Sequence, residues 1–262
     1  MRALAHAIRD VFDGLKYHRF WLNLALLDWG QRYHRSAIGI LWIFGSFALF
    51  VGVKALIFGS LTTAPPDYFS LYVALGFLAW VFISAVVNEG CMVFVQSATW
   101  IRGISLPLST YVYQSVLRNL IAFAVSGIFV ICALIYYRWS IKPIALLAIP
   151  ALGVYIINAL WVQFLFGTIS ARFRDFAYLM QTAMRLLIFL TPIMWIPSQL
   201  GSIGPYIYWN PFTHFVEIFR APILDGQPAL GSWVVVLAVT VIGWITAMLV
   251  FARFRHRIVF WL

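Results

Sequence analysis

Apolar residues dominate this chain in long, unbroken runs that short polar segments separate. A helical run of about 20 apolar residues crosses the hydrocarbon of a membrane. The runs do not alternate between apolar and polar positions, as the strands of a membrane β-barrel would. The pattern therefore predicts an all-α integral membrane protein. It predicts six transmembrane helices, over residues 36–61, 68–95, 111–137, 144–170, 179–196 and 233–252.

The segment before the first run, residues 20–35, has polar and apolar positions at helical spacing. Four polar residues recur at i, i+3, i+4 and i+7 on one face, namely Asp28, Gln31, Arg32 and Arg35. This pattern predicts an amphipathic helix that lies in the inner membrane interface. Two interpretations stay open: a plain membrane anchor, or an anchor that also docks a partner protein or an anionic headgroup.

The polar segment between the second and third runs, residues 96–110, is short and contains a tryptophan, an arginine and a proline that would stop a helix. A short exposed helix here could be the lever through which a cytoplasmic motor moves the spans. An ordinary connecting turn is the alternative, and composition alone favours the turn.

Residues 197–232 are too many for a simple outer loop and too apolar to be plainly solvated. Prolines break the segment into pieces, so two short re-entrant helices fit better than one span, because irregular backbone survives at membrane depth only inside protein or beside water. His214, Glu217 and Arg220 lie at i, i+3 and i+6 in this segment. Glu217 and Arg220 can pair along the helix, and a re-entrant segment on the outer side is a candidate gate.

The composition supports a membrane protein. The chain is 63% hydrophobic and 10% charged, against about 45–50% and about 25% in soluble domains. Its net charge of +10 is explained better by anionic headgroups and the positive-inside rule than by nucleic acid. With both termini inside, twelve of the eighteen Lys and Arg residues fall in inner segments, three in outer segments and three in the spans.

This topology divides a single transmembrane domain, residues 1–262, into five segments. They are a cytoplasmic segment with the interface helix (1–35), spans one to five (36–196), the outer re-entrant region (197–232), span six (233–252) and a cytoplasmic tail (253–262).

Glu89 and Arg118 are charged residues within or beside apolar runs. Glu89 lies 21 residues after Tyr68, and at about 1.5 Å per residue this distance is about 32 Å, one hydrocarbon thickness. Glu89 therefore lies near the inner interface and avoids most of the cost of about 2.5–3.5 kcal/mol for a charge at the bilayer centre. Arg118 lies at a similar depth on the returning span, so we predict a structural ion pair.

Several kinds of chemistry are missing from the sequence. It contains no G-x-x-x-x-G-K-[ST] motif for binding ATP, and its eight acidic residues and five histidines form no acid–base pair or metal-ligand spacing. We therefore predict no catalytic residue, no metal site and no cofactor in this chain. A membrane-bound transferase or phosphatase is disfavoured for this reason, and a secondary carrier loses support because no convincing internal repeat is visible.

Four stretches together resemble a known family. They are residues 32–42 (RYHRSAIGILW), 88–113, 170–195 and 210–224 (NPFTHFVEIFRAPIL). In the right order and over nearly the whole chain, they resemble the permease subunit of type-2 ABC exporters. The most similar branch is that of the O-antigen polysaccharide exporters, which is related to the capsule and teichoic acid exporters.

The resemblance implies a homodimer that pairs with two copies of a separate ATPase, which binds ATP and Mg. The complex would export a polysaccharide joined to undecaprenyl pyrophosphate from the cytoplasmic to the periplasmic side of the bacterial inner membrane. A capsule or teichoic acid exporter is the alternative. In this family a coupling helix fits a groove of the ATPase, and short outer helices match residues 197–232. The matching coupling residues are Gln96, Thr99, Trp100, Ile101 and Arg102.

A channel for sugar needs flat apolar faces beside polar groups, and aromatic rings supply these faces. The pore of the family lies between the first and fifth spans of two subunits. The candidate pathway residues are therefore Trp42, Phe47, Phe50, Phe189 and Trp195. The alternative for each of these rings is contact with lipid.

A pyrophosphate headgroup needs cationic donors at the inner surface. Arg32 and Arg35 lie directly before the first span, and arginine suits phosphate through its fixed fork of donors. The alternative is that both residues only obey the positive-inside rule.

Overall fold

The computed structural model describes residues 2–33, 38–199 and 201–262, and within these ranges all regular structure is helical. The described α-helices are α1 (Arg2–Lys16), α2 (His18–Tyr33), α3 (Leu41–Gly59), α4 (Pro66–Gln96), α5 (Ala98–Gly103), α6 (Ser109–Tyr136), α7 (Ala148–Arg172), α8 (Asp175–Leu190), α9 (Pro211–Leu224) and α10 (Leu230–Trp261). Short 3-10 helices precede α7 and α9, at Pro143–Leu147, Pro197–Gln199 and Gly201–Trp209. The prediction of an all-α membrane protein is confirmed.

Helices long and apolar enough to cross a membrane recur along the chain. In the described part there are five, at Leu41–Gly59, Pro66–Gly103, Ser109–Tyr136, Pro143–Arg172 and Leu230–Trp261. α8 has 16 residues, which span about 24 Å at about 1.5 Å per residue, less than the hydrocarbon thickness of about 30 Å. The chain is therefore a multi-pass membrane protein, and the sixth span stays a prediction.

α4 is the central helix and contacts α3, α6, α7, α8 and α9. Two glycines permit its close crossing with α7. A Cβ atom on Gly90 would lie 2.8 Å from Cγ of Gln163, and one on Gly167 would lie 2.6 Å from Cγ1 of Val93. Only glycine leaves room for the two backbones to approach this closely.

α1, α2 and α5 lie at one end of the bundle, which we call the α5 end, and α9 lies at the opposite α9 end. α1 is held against α6 and α10 by the buried side chain of Asp10. This carboxylate accepts hydrogen bonds from the Ser109 backbone N–H at 3.0 Å and from Arg255 Nη2 at 2.9 Å. The hydroxyl of Tyr113 also donates to the carbonyl of Val11, at 2.7 Å. α1 is thus part of the folded domain.

The amphipathic character predicted for residues 20–35 is clearer on α1. One side of α1 exposes an apolar stripe, made of Leu4, Ile8, Phe12 and Leu15. α2 instead directs Asp28 towards α6, while Leu26 and Leu27 are exposed. The stripe on α1 is the kind of surface that a membrane interface accepts.

α9 is buried over most of its length although it follows an irregular segment. It contacts α4, α7 and α10. The side-chain oxygen of Asn210 caps the helix by accepting from the backbone N–H of Phe212 at 3.0 Å, and its amide donates to the hydroxyl of Thr191 at 3.0 Å. The described part of this segment has 3-10 helices followed by one α-helix, α9. The two short re-entrant helices stay a prediction.

Candidate functional site

An open groove runs along the bundle, with α4 as its floor and α3 and α8 on its two sides. A cavity of about 480 Å³ contains side chains from all three helices, including Phe50, Lys54, Ser84, Asn88, Arg185 and Phe189. A second cavity, of about 340 Å³, shares Asn88 and Gln181 with the first and continues towards the α5 end as far as Arg174. We call the two cavities together the α3–α8 groove.

The helical repeat explains why these side chains share one groove. Ser84 and Asn88 lie one turn apart on α4, and the Asn88 amide donates to the Ser84 hydroxyl at 3.2 Å. On α8, Gln181 and Arg185 lie one turn apart, and Arg174 lies about two turns before Gln181 at the helix start. Each helix therefore contributes one polar row, and the two rows face the same space.

Aromatic rings lie beside these polar rows. Phe50 stacks on Phe77 with ring centroids 3.9 Å apart and an interplanar angle of 9°, which fixes its ring at the groove. Phe189 is exposed at the other side of the groove. Rings beside amide and hydroxyl groups form a surface on which a sugar chain can be held and can slide.

Phe50 and Phe189 are two of the five predicted pathway residues, and the other three lie elsewhere. Trp42 is exposed on α3. Trp195 donates from its indole N–H to the carbonyl of Phe189 at 3.1 Å, so it supports the segment that carries Phe189. Phe47 is buried at 4% exposure between α4 and α6. The structure therefore does not place Phe47 on the groove, because it packs inside the subunit.

The groove is cationic. Lys54 and Arg185 line the larger cavity and Arg174 the smaller one, and no acidic side chain among the described residues lines either cavity. Lys54 Nζ lies 5.2 Å and 5.5 Å from the ring centroids of Phe50 and Phe58. Lys54 lies within α3, one of the candidate membrane spans, and an ionisable side chain in a span is by default a candidate for a functional site.

The structure brings Glu89 and Arg118 together, and it adds a third residue. Arg118 Nη2 lies 3.3 Å from Glu89 Oε2, and Arg118 Nη1 lies 2.8 Å from Asp28 Oδ2. Gln114 also donates to Asp28, at 2.6 Å. This cluster joins α2, α4 and α6 near the α5 end. Sequence reasoning missed the role of Asp28, because it assigned this residue to a free polar face of α2.

The predicted coupling segment is a helix, α5. Ile101 is buried and anchors it, while Thr99, Trp100 and Arg102 are exposed. The ring of Trp100 contacts that of Phe20 on α2 edge-on, with centroids 6.2 Å apart. Gln96 is the last residue of α4 and is also exposed. The arrangement presents a tryptophan and an arginine on a short, anchored helix, which is a suitable shape for docking into a partner.

The three predicted gate residues lie on α9 and are tied to neighbouring segments. The ring of His214 bridges the Ser232 hydroxyl at 3.0 Å and the Tyr208 carbonyl at 2.8 Å. Arg220 Nη2 lies 3.4 Å from Glu217 Oε1, as the predicted pairing along the helix requires. These contacts join α9 to the start of α10 and to the preceding 3-10 helix.

Arg220 is a buried cation whose charge is satisfied within the protein. Its side chain is 2% exposed, its Nη1 donates to the Pro192 carbonyl at 2.6 Å, and its guanidinium lies 3.7 Å from the ring centroid of Tyr72. The Tyr72 hydroxyl donates to the same carbonyl at 3.1 Å. Arg220 therefore joins α9, α4 and the turn after α8, and it acts as a clamp in this conformation.

Arg32 and Arg35 are the residues predicted to bind the carrier headgroup. Arg35 and the side chain of Arg32 lie outside the described residues. No group of three His, Cys, Asp or Glu side chains in the described part of the chain could hold a metal ion.

A known permease is similar to most of this chain. The O-antigen export system permease protein RfbA of Myxococcus xanthus is 22% identical over 218 residues, which cover 82% of this chain and 84% of that protein. No protein-family model matches the chain. The relative confirms the resemblance to O-antigen permeases that was drawn from the sequence.

Proposed function

We propose that this chain is the transmembrane subunit of an ATP-driven exporter. Its cargo is a lipid-linked polysaccharide of the O-antigen type, which it moves from the cytoplasmic to the periplasmic side of the bacterial inner membrane. The observation that carries the proposal is the α3–α8 groove, in which aromatic rings lie beside amide, hydroxyl and cationic side chains of α8 and of two candidate membrane spans, α3 and α4. The O-antigen export permease that covers most of the chain supports the same cargo class.

The groove is one wall of the proposed pathway, and a second copy of the chain supplies the other wall. α3 and α8, which flank the groove, expose many large apolar side chains, among them Leu49, Leu56, Leu186 and Phe189. Apolar helix sides of this kind can face lipid or another transmembrane helix. In the proposed homodimer, α3 and α8 of two copies face each other and enclose a channel.

ATP hydrolysis is assigned to two copies of a separate ATPase that dock at the α5 end. The excess of Lys and Arg in the predicted inner segments supports a cytoplasmic position for this end, by the positive-inside rule. α5 is the proposed coupling helix, with Trp100 and Arg102 as its exposed contacts. In this scheme Arg32 and Arg35 stay the proposed first contact for the carrier headgroup at the inner surface.

The proposal is tested by reconstituting the permease with its ATPase in proteoliposomes and measuring ATP-dependent movement of the lipid-linked glycan. Gln181→Trp adds a bulky ring where the two cavities of the groove meet, so it should abolish transport while the complex still assembles. Ile245→Trp adds a similar bulk on the exposed side of α10 and should leave transport unchanged. If Gln181→Trp transports like the parent, the groove is not the pathway; if the parent complex moves no glycan, the function is wrong.

A further inference from the structure

We propose that Arg174, Arg185 and Lys54 form a phosphate track along the α3–α8 groove. The track would bind the phosphorylated headgroup of the polyprenyl carrier lipid at successive depths as it moves towards the α9 end. This inference rests on the proposed function and identifies which part of the cargo the groove holds.

The three cations are spread along the membrane normal. Arg174 is the residue before α8, and Arg185 follows it by 11 residues, which is about 16 Å at about 1.5 Å per residue, or half a hydrocarbon thickness. Lys54 lies across the groove from Arg185, and both line the larger cavity. Each lies five residues before the end of its helix, at Gly59 and Leu190. Arg174 is thus the lower station, and Arg185 and Lys54 are a paired upper station.

Neutral polar groups fill the interval between the stations. Gln181 and Asn88 line both cavities, and Ser84 lies one turn beyond Asn88. The Asn88 amide donates to the Ser84 hydroxyl at 3.2 Å, so this hydroxyl keeps its own hydrogen for a further acceptor. Amide and hydroxyl donors can bind phosphate oxygens between two cations, so a headgroup moving along the groove is never without donors.

The groove cations differ from the cations that pack inside the bundle. Arg118, Arg220 and Arg255 each lie within ion-pair distance of a carboxylate. No ion pair within the described part of the chain involves Arg174, Arg185 or Lys54, and the rings beside Lys54 supply no formal charge. An anion in the groove would complete their environment. A diphosphate on a long-chain lipid has the charge for it, while its tail can stay in the surrounding membrane.

The test uses the full-length protein in phosphatidylcholine nanodiscs and measures binding of radiolabelled, unglycosylated polyprenyl diphosphate. Lys54→Gln and Arg185→Gln should each weaken binding about tenfold or more, because each removes a charge-assisted contact. Arg185→Lys should retain more affinity than Arg185→Gln. Arg257→Gln removes an exposed cation on α10, away from the groove, and should not change binding. Polyprenol without phosphate should bind the parent and the variants equally.

Competitors identify the source of the anion. Phosphatidylglycerol and inorganic pyrophosphate are tested as competitors. If either displaces the probe as effectively as unlabelled polyprenyl diphosphate does, the groove is a general anion site and the carrier assignment is overturned. Parental affinity in both glutamine variants would also refute the track. If these variants bind normally while Gln181→Trp still blocks export, the track is wrong and the exporter function stands.

Discussion

The cluster of Asp28, Glu89 and Arg118 predicts an unequal response to mutation. Arg118 contacts both carboxylates, and its contact with Asp28 is shorter, at 2.8 Å against 3.3 Å for Glu89. Arg118→Gln should therefore destabilise the protein most, because it leaves two carboxylates without their cation. Asp28→Asn should rank second, since it weakens the shorter contact and the bond from Gln114. Glu89→Gln should rank last, because Arg118 keeps Asp28.

The magnitudes follow from the burial of the cluster. The side chains of Arg118, Asp28 and Glu89 are 16%, 30% and 25% exposed, so solvent screens them only partly. Breaking a fully buried pair on one side costs about 3–5 kcal/mol, so about 2–4 kcal/mol is expected for Arg118→Gln here. A hydrogen bond to a charged group contributes about 1.5–3 kcal/mol, which bounds Asp28→Asn. Glu89→Gln should cost less than about 1 kcal/mol, as for screened pairs.

The assay is a reversible titration with sodium dodecyl sulfate in mixed micelles, with the free energy of unfolding read from tryptophan fluorescence. Two double-mutant cycles, Asp28 with Arg118 and Glu89 with Arg118, separate direct pairing from general destabilisation. Both double variants should cost less than the sum of the single variants, and the Asp28 cycle should give the larger coupling energy. Additive effects in both cycles, or a larger coupling for Glu89, would refute this reading of the cluster.

Three further predictions concern other parts of the molecule. Trp100→Ala and Arg102→Glu should leave the permease inserted and bound to ATPase but separate ATP hydrolysis from export, and export at the parental rate by both would remove α5 as the coupling helix. Gly167→Ala should lower the free energy of unfolding by about 1–3 kcal/mol through overpacking at the α4–α7 crossing, whereas Gly153→Ala on the same helix, where a Cβ meets nothing within 4 Å, should not. Arg220→Met should cost about 2–4 kcal/mol by removing a charged hydrogen bond and a cation–π contact, and a loss under about 1 kcal/mol would show that the clamp contributes little to stability.

Hydropathy was enough to predict most spans, because each apolar run must be long enough to cross the bilayer. The fifth run was predicted to end at residue 196, but α8 ends at Leu190. Pro192 explains the difference, since proline lacks a backbone N–H and disfavours helical backbone in the residue before it. The indole of Trp195 and the amide of Asn210 then bond to carbonyls at the end of α8, at Phe189 and Leu190. A hydropathy pattern does not record such a break, because the residues after it are still apolar.

The groove could be predicted only in part. Lys54 and Arg185 were recognisable as cations within apolar runs, but nothing local indicates that α3 and α8 place them beside the same space. Phe47 and Phe50 illustrate the same limit. They lie one turn apart on a helix that is apolar on all sides, yet Phe47 is buried in the subunit and Phe50 lines the groove. Their orientations depend on packing against α4 and α6, which the sequence of α3 alone does not specify.

Arg220 differs from Lys54 and Arg185 in its partners, and this difference bears on the function of the protein. Arg220 shows that the fold can give a buried guanidinium partners of its own, namely a carbonyl, a carboxylate and an aromatic ring. Lys54 lies within a candidate membrane span and Arg185 lies across the same cavity, and neither has a carboxylate partner among the described residues. A cation needed only for the fold would be expected to have partners like those of Arg220. The open environment of Lys54 and Arg185 instead suits an anion that arrives and leaves, as we propose for the headgroup of the carrier lipid.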